Sequence, residues 1–251
     1  MSTGIDVFSR HFEKYKNQYV VIGGTACELL LSDAALDFRL TRDIDMVLVV
    51  EAMTDEFAKA FWEFIADGGY EPWEGENGIS KFYRFVKPKR SEYPYMIELF
   101  ARPGSDVNFE YTGHLMPLHI DDEIPSLSAI LLNDDYYKFI LDGRVSYETI
   151  TIPDAAHIIP LKMRAWIDLL RQKEEGKHVN DKDIRKHRQD VFRLYPLISA
   201  DTHIGVSQLI YDDIQHFIGE MQTADFDLKA IHIAEDKQQI LDVYKNIYFL
   251  N

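Results

Sequence analysis

Two aspartates one residue apart, Asp43 and Asp45, open an apolar run that continues to Val50. Side chains alternate across a strand, so both carboxylates project from one face while Ile44 and Met46 take the other. Two carboxylates so placed can share one divalent cation or bracket a pair. Mg2+ suits them best, because it prefers oxygen ligands and keeps water and phosphate oxygens in its shell. The competing reading is an acidic pair that solvates a strand end. Glu98 stands in Tyr95-Met96-Ile97-Glu98-Leu99-Phe100, with apolar neighbours on both sides. An ionised carboxylate there is costly unless paired or metal-bound. Beside Asp43 and Asp45 it would complete a two-metal site, in which one ion activates an attacking oxygen and the other steadies a triphosphate. Otherwise Glu98 is an edge-strand residue facing water.

Gly23-Gly24 follows the β-rich run Tyr19–Ile22 and precedes a helical pattern, with Thr25 placed to cap that helix. Glycine permits close backbone approach, and free N–H groups at a helix start can hold a phosphate. Neither a Gly-Lys-Ser/Thr phosphate loop nor Gly-x-Gly-x-x-Gly is present. Lys162 lies among Ile158, Ile159, Ala165 and Trp166 at helical spacing, so it must snorkel to water or meet an anion. Asp183, His187 and Asp190 share one helical face beside the basic residues Lys182, Arg185, Lys186 and Arg193, which reads first as a hydrogen-bonded structural cluster. His114 and His119 face opposite sides of an expected strand and suggest no site. No Ser-His-Asp, Cys-His or His-Glu-x-x-His arrangement favours a hydrolase.

The elements that must position these groups follow from periodicity. A helix is expected over 5–16, a strand at Tyr19–Ile22, a helix at Ala26–Ala35 and a strand at Ile44–Val50. A further helix, capped by Thr54 or Asp55, ends at Asp67-Gly68-Gly69. Strand patterns follow at Lys81–Val86, Tyr93–Phe100 and Leu115–Ile120. Leu141-Asp142-Gly143-Arg144 reads as a hairpin turn between an apolar run and a strand at Val145–Ile152. From Pro153, suited to a first helical turn, the pattern becomes helical: Ile158–Leu170, Asp181–Leu194, Ser207–Gln222 and Ile231–Ile247. The expected fold is α+β, a mixed β-sheet flanked by helices (residues 1–152) followed by a helical C-terminal domain (residues 153–251).

With 251 residues and 46% hydrophobic content, the chain can bury a full-sized core. Its single cysteine, Cys27, excludes an internal disulfide and fits a reducing, cytoplasmic setting as a small buried hydrophobe. The N-terminus lacks a signal-peptide order, and no apolar run approaches a membrane span. A formal charge of −15 disfavours a broad nucleic-acid or anionic-membrane surface. Between Ala155 and Arg193, however, ten Lys or Arg face six Asp or Glu. An anionic ligand would be steered there.

Gly23-Gly24-Thr25-Ala26, Thr41-Arg42-Asp43-Ile44-Asp45 and Ile97-Glu98-Leu99 together resemble the nucleotidyltransferase superfamily related to DNA polymerase beta. The branch they resemble holds the AbiEii-type toxins of abortive-infection and toxin–antitoxin systems. Lys162 and the Lys182-Asp183 pair match by position the helical motifs of that branch. Gly24 departs from the serine of many superfamily members, and nothing past about Leu194 is covered. The resemblance implies transfer of a nucleoside monophosphate from a nucleoside triphosphate to a hydroxyl of RNA, tRNA included, or of a protein. It assigns the metal ions, two Mg2+, to Asp43, Asp45 and Glu98. Gly23, Gly24, Thr25, Arg42, Lys162, Lys182 and Asp183 would hold the nucleotide, and an antitoxin protein would be a partner. The alternatives are a catalytically silent protein of the same fold that binds nucleotide or a partner, and an antitoxin-like enzyme that adenylylates a partner.

Overall fold

Five strands form one mixed sheet in the order β1-β2-β5-β4-β3, as seen in a computed structural model that describes residues 4–74, 80–102, 133–199 and 201–251. The strands are β1 (Tyr19–Ile22), β2 (Asp43–Leu48), β3 (Glu71–Glu74), β4 (Ser80–Val86) and β5 (Met96–Phe100). β2 and β5 run parallel, and the other pairings are antiparallel. Alternation assigns the two faces. Tyr19, Val21, Ile44, Met46, Ile97, Leu99 and Phe85 share one; Asp43, Asp45, Glu98 and Arg84 share the other.

The apolar face is covered by α1 (Ile5–Phe12) and α3 (Asp55–Gly68). Phe8, Phe12, Phe57, Phe61 and Phe64 pack edge-on or tilted against one another and against Phe85, and Phe57 stacks on Tyr19. All five are essentially without solvent exposure, so each contributes about 1.5–3 kcal/mol of burial. Thr54 caps α3 by accepting from the Phe57 N–H, and Gly69 closes it in the left-handed conformation, as the sequence pattern requires. The opposite, charged face looks toward α2 (Gly23–Asp33) and the helices that follow.

Those are α4 (Asp134–Asp142), α5 (Ala155–Glu174), α6 (Asp181–Arg193), α7 (Gln208–Thr223) and α8 (Lys237–Ile247). Two hairpin strands, β6 (Arg144–Tyr147) and β7 (Ile150–Pro153), precede α5, and a parallel pair, β8 (Ile204–Val206) and β9 (Tyr248–Leu250), joins the last third. A single apolar cluster runs across residue 152, joining Val20, Ala26 and Val47 to Ile158, Leu161 and Ile214. Tyr137 Oη hydrogen-bonds the Val50 N–H at 3.0 Å, and Tyr248 Oη donates to the Ala156 carbonyl at 2.6 Å. The apolar core is thus continuous between the sheet and the helices.

Four local expectations change. The apolar run before Gly143 is the helix α4, capped by Asn133, and the hairpin turn lies at Glu148-Thr149, inside the stretch read as one strand. Glu148 takes a positive φ of 48° there. Pro153 ends β7, and Asp154 caps α5 by accepting from the His157 N–H. Thr25 caps nothing, since α2 begins at Gly23. The last helix starts at Lys237 behind its cap Asp236. The strand expected at Leu115–Ile120, with His114 and His119, lies outside the described residues. Among the described residues no helix is long and apolar enough to cross a membrane.

Candidate active site

The register of three adjacent strands builds the site. Asp45 on β2 lies opposite Glu98 on β5, and Glu98 lies opposite Arg84 on β4. Glu98 therefore stands on an inner strand, contrary to the edge-strand alternative, and is buried. Arg84 Nε donates to Glu98 Oε1. Asp43 projects two residues before Asp45 on the same face.

Three carboxylates on one half-buried face oppose one another's ionisation. Burial raises the Asp45 carboxyl to about 7, with Glu98 and then Asp43 adding to it and Lys162 working against it. Glu98 is raised by burial, although Arg84 pulls it down. Asp43 is raised by burial against Lys186, Arg84 and Arg42. Asp43 Oδ1 is buried without a hydrogen-bond partner, a costly state for a carboxylate oxygen. An added cation would relieve it.

Gly23 explains itself in this geometry. Its φ is +72°, and a Cβ there would collide with Asp45 Oδ2, so the first glycine supplies both the turn and the space for the carboxylate. A Cβ on Gly24 would sit 2.7 Å from Thr41 Cγ2, so the second lets the 39–43 loop close against α2. Thr25, expected to meet phosphate, is buried and donates to the Asp43 carbonyl at 2.6 Å. Glu28 accepts from the Thr41 N–H at 2.9 Å and its hydroxyl at 2.7 Å. Both are positioning contacts that fix the approach to β2.

A pocket of about 320 Å³ opens beside this loop, lined by Arg39, Leu40, Thr41, Arg42, Asp43, Tyr95 and Lys186. Three cations and one carboxylate with an unpartnered oxygen share it. Lys186, on α6, is lowered by burial and by Arg39 and Lys162, with Asp190 and Asp45 opposing. Arg39 Nη1 is buried without a hydrogen-bond partner. An anion entering here would meet three cations, one of which, Arg39, carries a donor already stripped of water.

Lys162 is not among the pocket's lining residues. It is buried and its ammonium lies 3.1 Å from Asp190 Oδ2, which Arg39 Nη2 also contacts at 2.9 Å. Cys27, its thiol pushed up to about 11 by burial, lies against the same ammonium. The lysine neither snorkels nor faces the pocket; its anion is a buried aspartate. Lys182 and Asp183 are exposed in the first turn of α6, where Asn180 caps the Lys182 N–H. One turn on, Lys186 replaces them as the lining residue. His187 is held neutral at neutral pH by burial and by Lys162, Lys186 and Arg39.

Sequence reasoning missed Arg84 and Arg39, and named Lys186 only as one of several residues on a basic helical face. Arg84 had a signal, since it sits in the apolar strand Arg84-Phe85-Val86 as Glu98 does in its own. Arg39 had none, being one charge in a polar loop. Among the described residues no three His, Cys, Asp or Glu side chains converge as a ready metal-binding group. Asp43 and Asp45, on one face with a bare oxygen, fit one divalent ion; Glu98, occupied by Arg84, does not present itself as a third ligand. No protein-family model, curated protein or solved structure matches the chain.

Proposed function

We propose that this α+β protein is a metal-dependent nucleotidyltransferase of the AbiEii-type branch. It would move a nucleoside monophosphate from a nucleoside triphosphate to a hydroxyl of RNA, such as tRNA, or of a protein. The observation that carries this reading is the face shared by Asp43, Asp45 and Glu98 beside a pocket whose cations are Arg39, Arg42 and Lys186. A triphosphate satisfies both halves, because its charge suits the cations and a divalent ion bound with it suits the aspartates.

In the proposed reaction the acceptor oxygen attacks the α-phosphorus, and the bond from that phosphorus to the α,β-bridging oxygen breaks. Pyrophosphate leaves with the electron pair, and the hydroxyl proton passes to a carboxylate of the site. Mg2+, held by Asp43 and Asp45, would supply charge neutralisation at the phosphates. Arg39, Arg42 and Lys186 would hold the leaving pyrophosphate, and the exposed Leu40 and Tyr95 would offer apolar surface to sugar or base. Gly23 keeps Asp45 in place, and Thr25 and Glu28 fix the loop. Positioning and electrostatics suffice for such chemistry, so no covalent nucleophile is required.

The test is incubation of the purified chain with α-labelled nucleoside triphosphates, Mg2+ and total RNA or lysate protein. Label is expected on an acceptor and is expected to be lost in Asp43→Ala. No transfer, together with unchanged nucleotide binding in Asp43→Ala, would sink the reading. Nucleotide binding without transfer would identify a silent protein of this fold.

A further inference from the structure

We propose that Arg84 is a resident cation standing where a second divalent ion would otherwise bridge Glu98, so that this site takes one exchangeable metal ion. The inference rests on the nucleotidyltransferase reading and narrows it. Neighbouring strands lie about 4.8 Å apart, so the register Asp45, Glu98, Arg84 sets a carboxylate, a carboxylate and a guanidinium side by side on one face. Glu98 sits between a like charge and an opposite one. It has turned to the opposite one, accepting from Arg84 Nε.

That pair is not a loose surface contact. The two side chains are 14% and 10% exposed, where a charged hydrogen bond is shielded from competing water. Guanidinium does not lose its proton under working conditions, so the cation is permanent. Its field also reaches Asp43. Recruiting Glu98 to a metal would break this shielded ion pair, a cost that a carboxylate without a cation beside it would not carry. Among the three acids of this face, by contrast, the buried oxygen without a hydrogen-bond partner belongs to Asp43. The β2 pair is therefore the better place for a cation, and compensation is already present at β5.

The roles of the three acids then separate. Asp43 and Asp45 are the metal-binding residues, and Glu98 is a positioning residue that anchors Arg84 beside them. Native mass spectrometry of the full chain with Mn2+ and the four α,β-methylene nucleoside triphosphates reads this directly. The expected result is one Mn2+ per nucleotide-bound chain in the wild type and in Arg84→Lys, and two in Arg84→Gln. Two ions in the wild type, or one in folded Arg84→Gln, would overturn the proposal. If Arg84→Gln does not fold, Glu98→Gln decides. A Mn2+ affinity within about threefold of wild type supports the inference, and a loss of tenfold or more refutes it. A wild type that binds two ions and transfers label removes this inference alone, whereas one that binds no ion and transfers none removes the functional reading with it.

Discussion

Two groups of carboxylates in this protein, one fully buried in the helical layers and one partly buried on the sheet, are built on opposite plans. Asp190 on α6 has no solvent exposure, yet it is met by Lys162 at 3.1 Å and Arg39 at 2.9 Å, with Arg193 at 3.9 Å. A second knot works the same way: Arg164 joins Asp168 at 3.0 Å and Asp213 at 2.9 Å, and Tyr136 donates to Asp213 at 2.7 Å. On the sheet, by contrast, Asp43, Asp45 and Glu98 face one another with Arg84 as the close partner of only one. In the helical layers Asp168, Asp190 and Asp213 are each met by a cation, so their charge serves the fold. On the sheet the deficit persists, which is the arrangement expected where a cation arrives from outside.

Removing an answered acid should cost most. Asp190→Ala leaves the buried Lys162 and the partly exposed Arg39 without their anion, and the expected loss is about 3–5 kcal/mol of stability, read by urea unfolding. A loss below about 1 kcal/mol would break the contrast.

Removing an unanswered acid should do the reverse. Asp45 has its carboxyl raised to about 7, chiefly by burial, so the folded chain holds that proton more tightly than the unfolded one. The stabilisation it brings is complete below the unfolded carboxylate range and is lost as pH rises through 7. In EDTA, wild type should lose about 2–4 °C more in Tm than Asp45→Asn between pH 6 and pH 8. Asp45→Asn should also be the more stable at pH 8. Mn2+ should restore wild type more at pH 8 than at pH 6, and Asp45→Asn at neither; calorimetric melting at the two pH values checks each point.

The smallest effect separates two lysines of one helix. Lys186→Ala should weaken Mg2+–nucleoside triphosphate binding about tenfold, the scale of one charged hydrogen bond, whereas the exposed Lys182→Ala should stay within about twofold. Titration calorimetry distinguishes them, and equal losses would move the anion site toward the start of α6.

Much of the frame was legible. Tyr19–Ile22 has the bounds expected from its apolar run, Thr54 caps α3, and Gly69 ends it. Alternation alone put Asp43 and Asp45 on one face. Where reading failed, the local pattern admitted two answers. Val145–Ile152 alternates well enough for one strand, and only a positive φ at Glu148 folds it into two. Lys162 was recognisable as a buried cation in want of an anion. Which anion it met was not.

By itself, then, the sequence determined most of the elements, the cap of α3 and the faces on which the acids project, because each depends on neighbours within a few residues. Tertiary structure alone decided that Glu98 lies between Asp45 and Arg84, that Lys162 is spent on Asp190, and that Lys186 joins Arg39 and Arg42 at the pocket. These are pairings of desolvated charges, and Arg39 and Asp190 are separated by 151 positions in the chain. A buried charge fixes the need for a partner through its own surroundings, but the strand order and helix packing of the whole molecule choose which partner it finds.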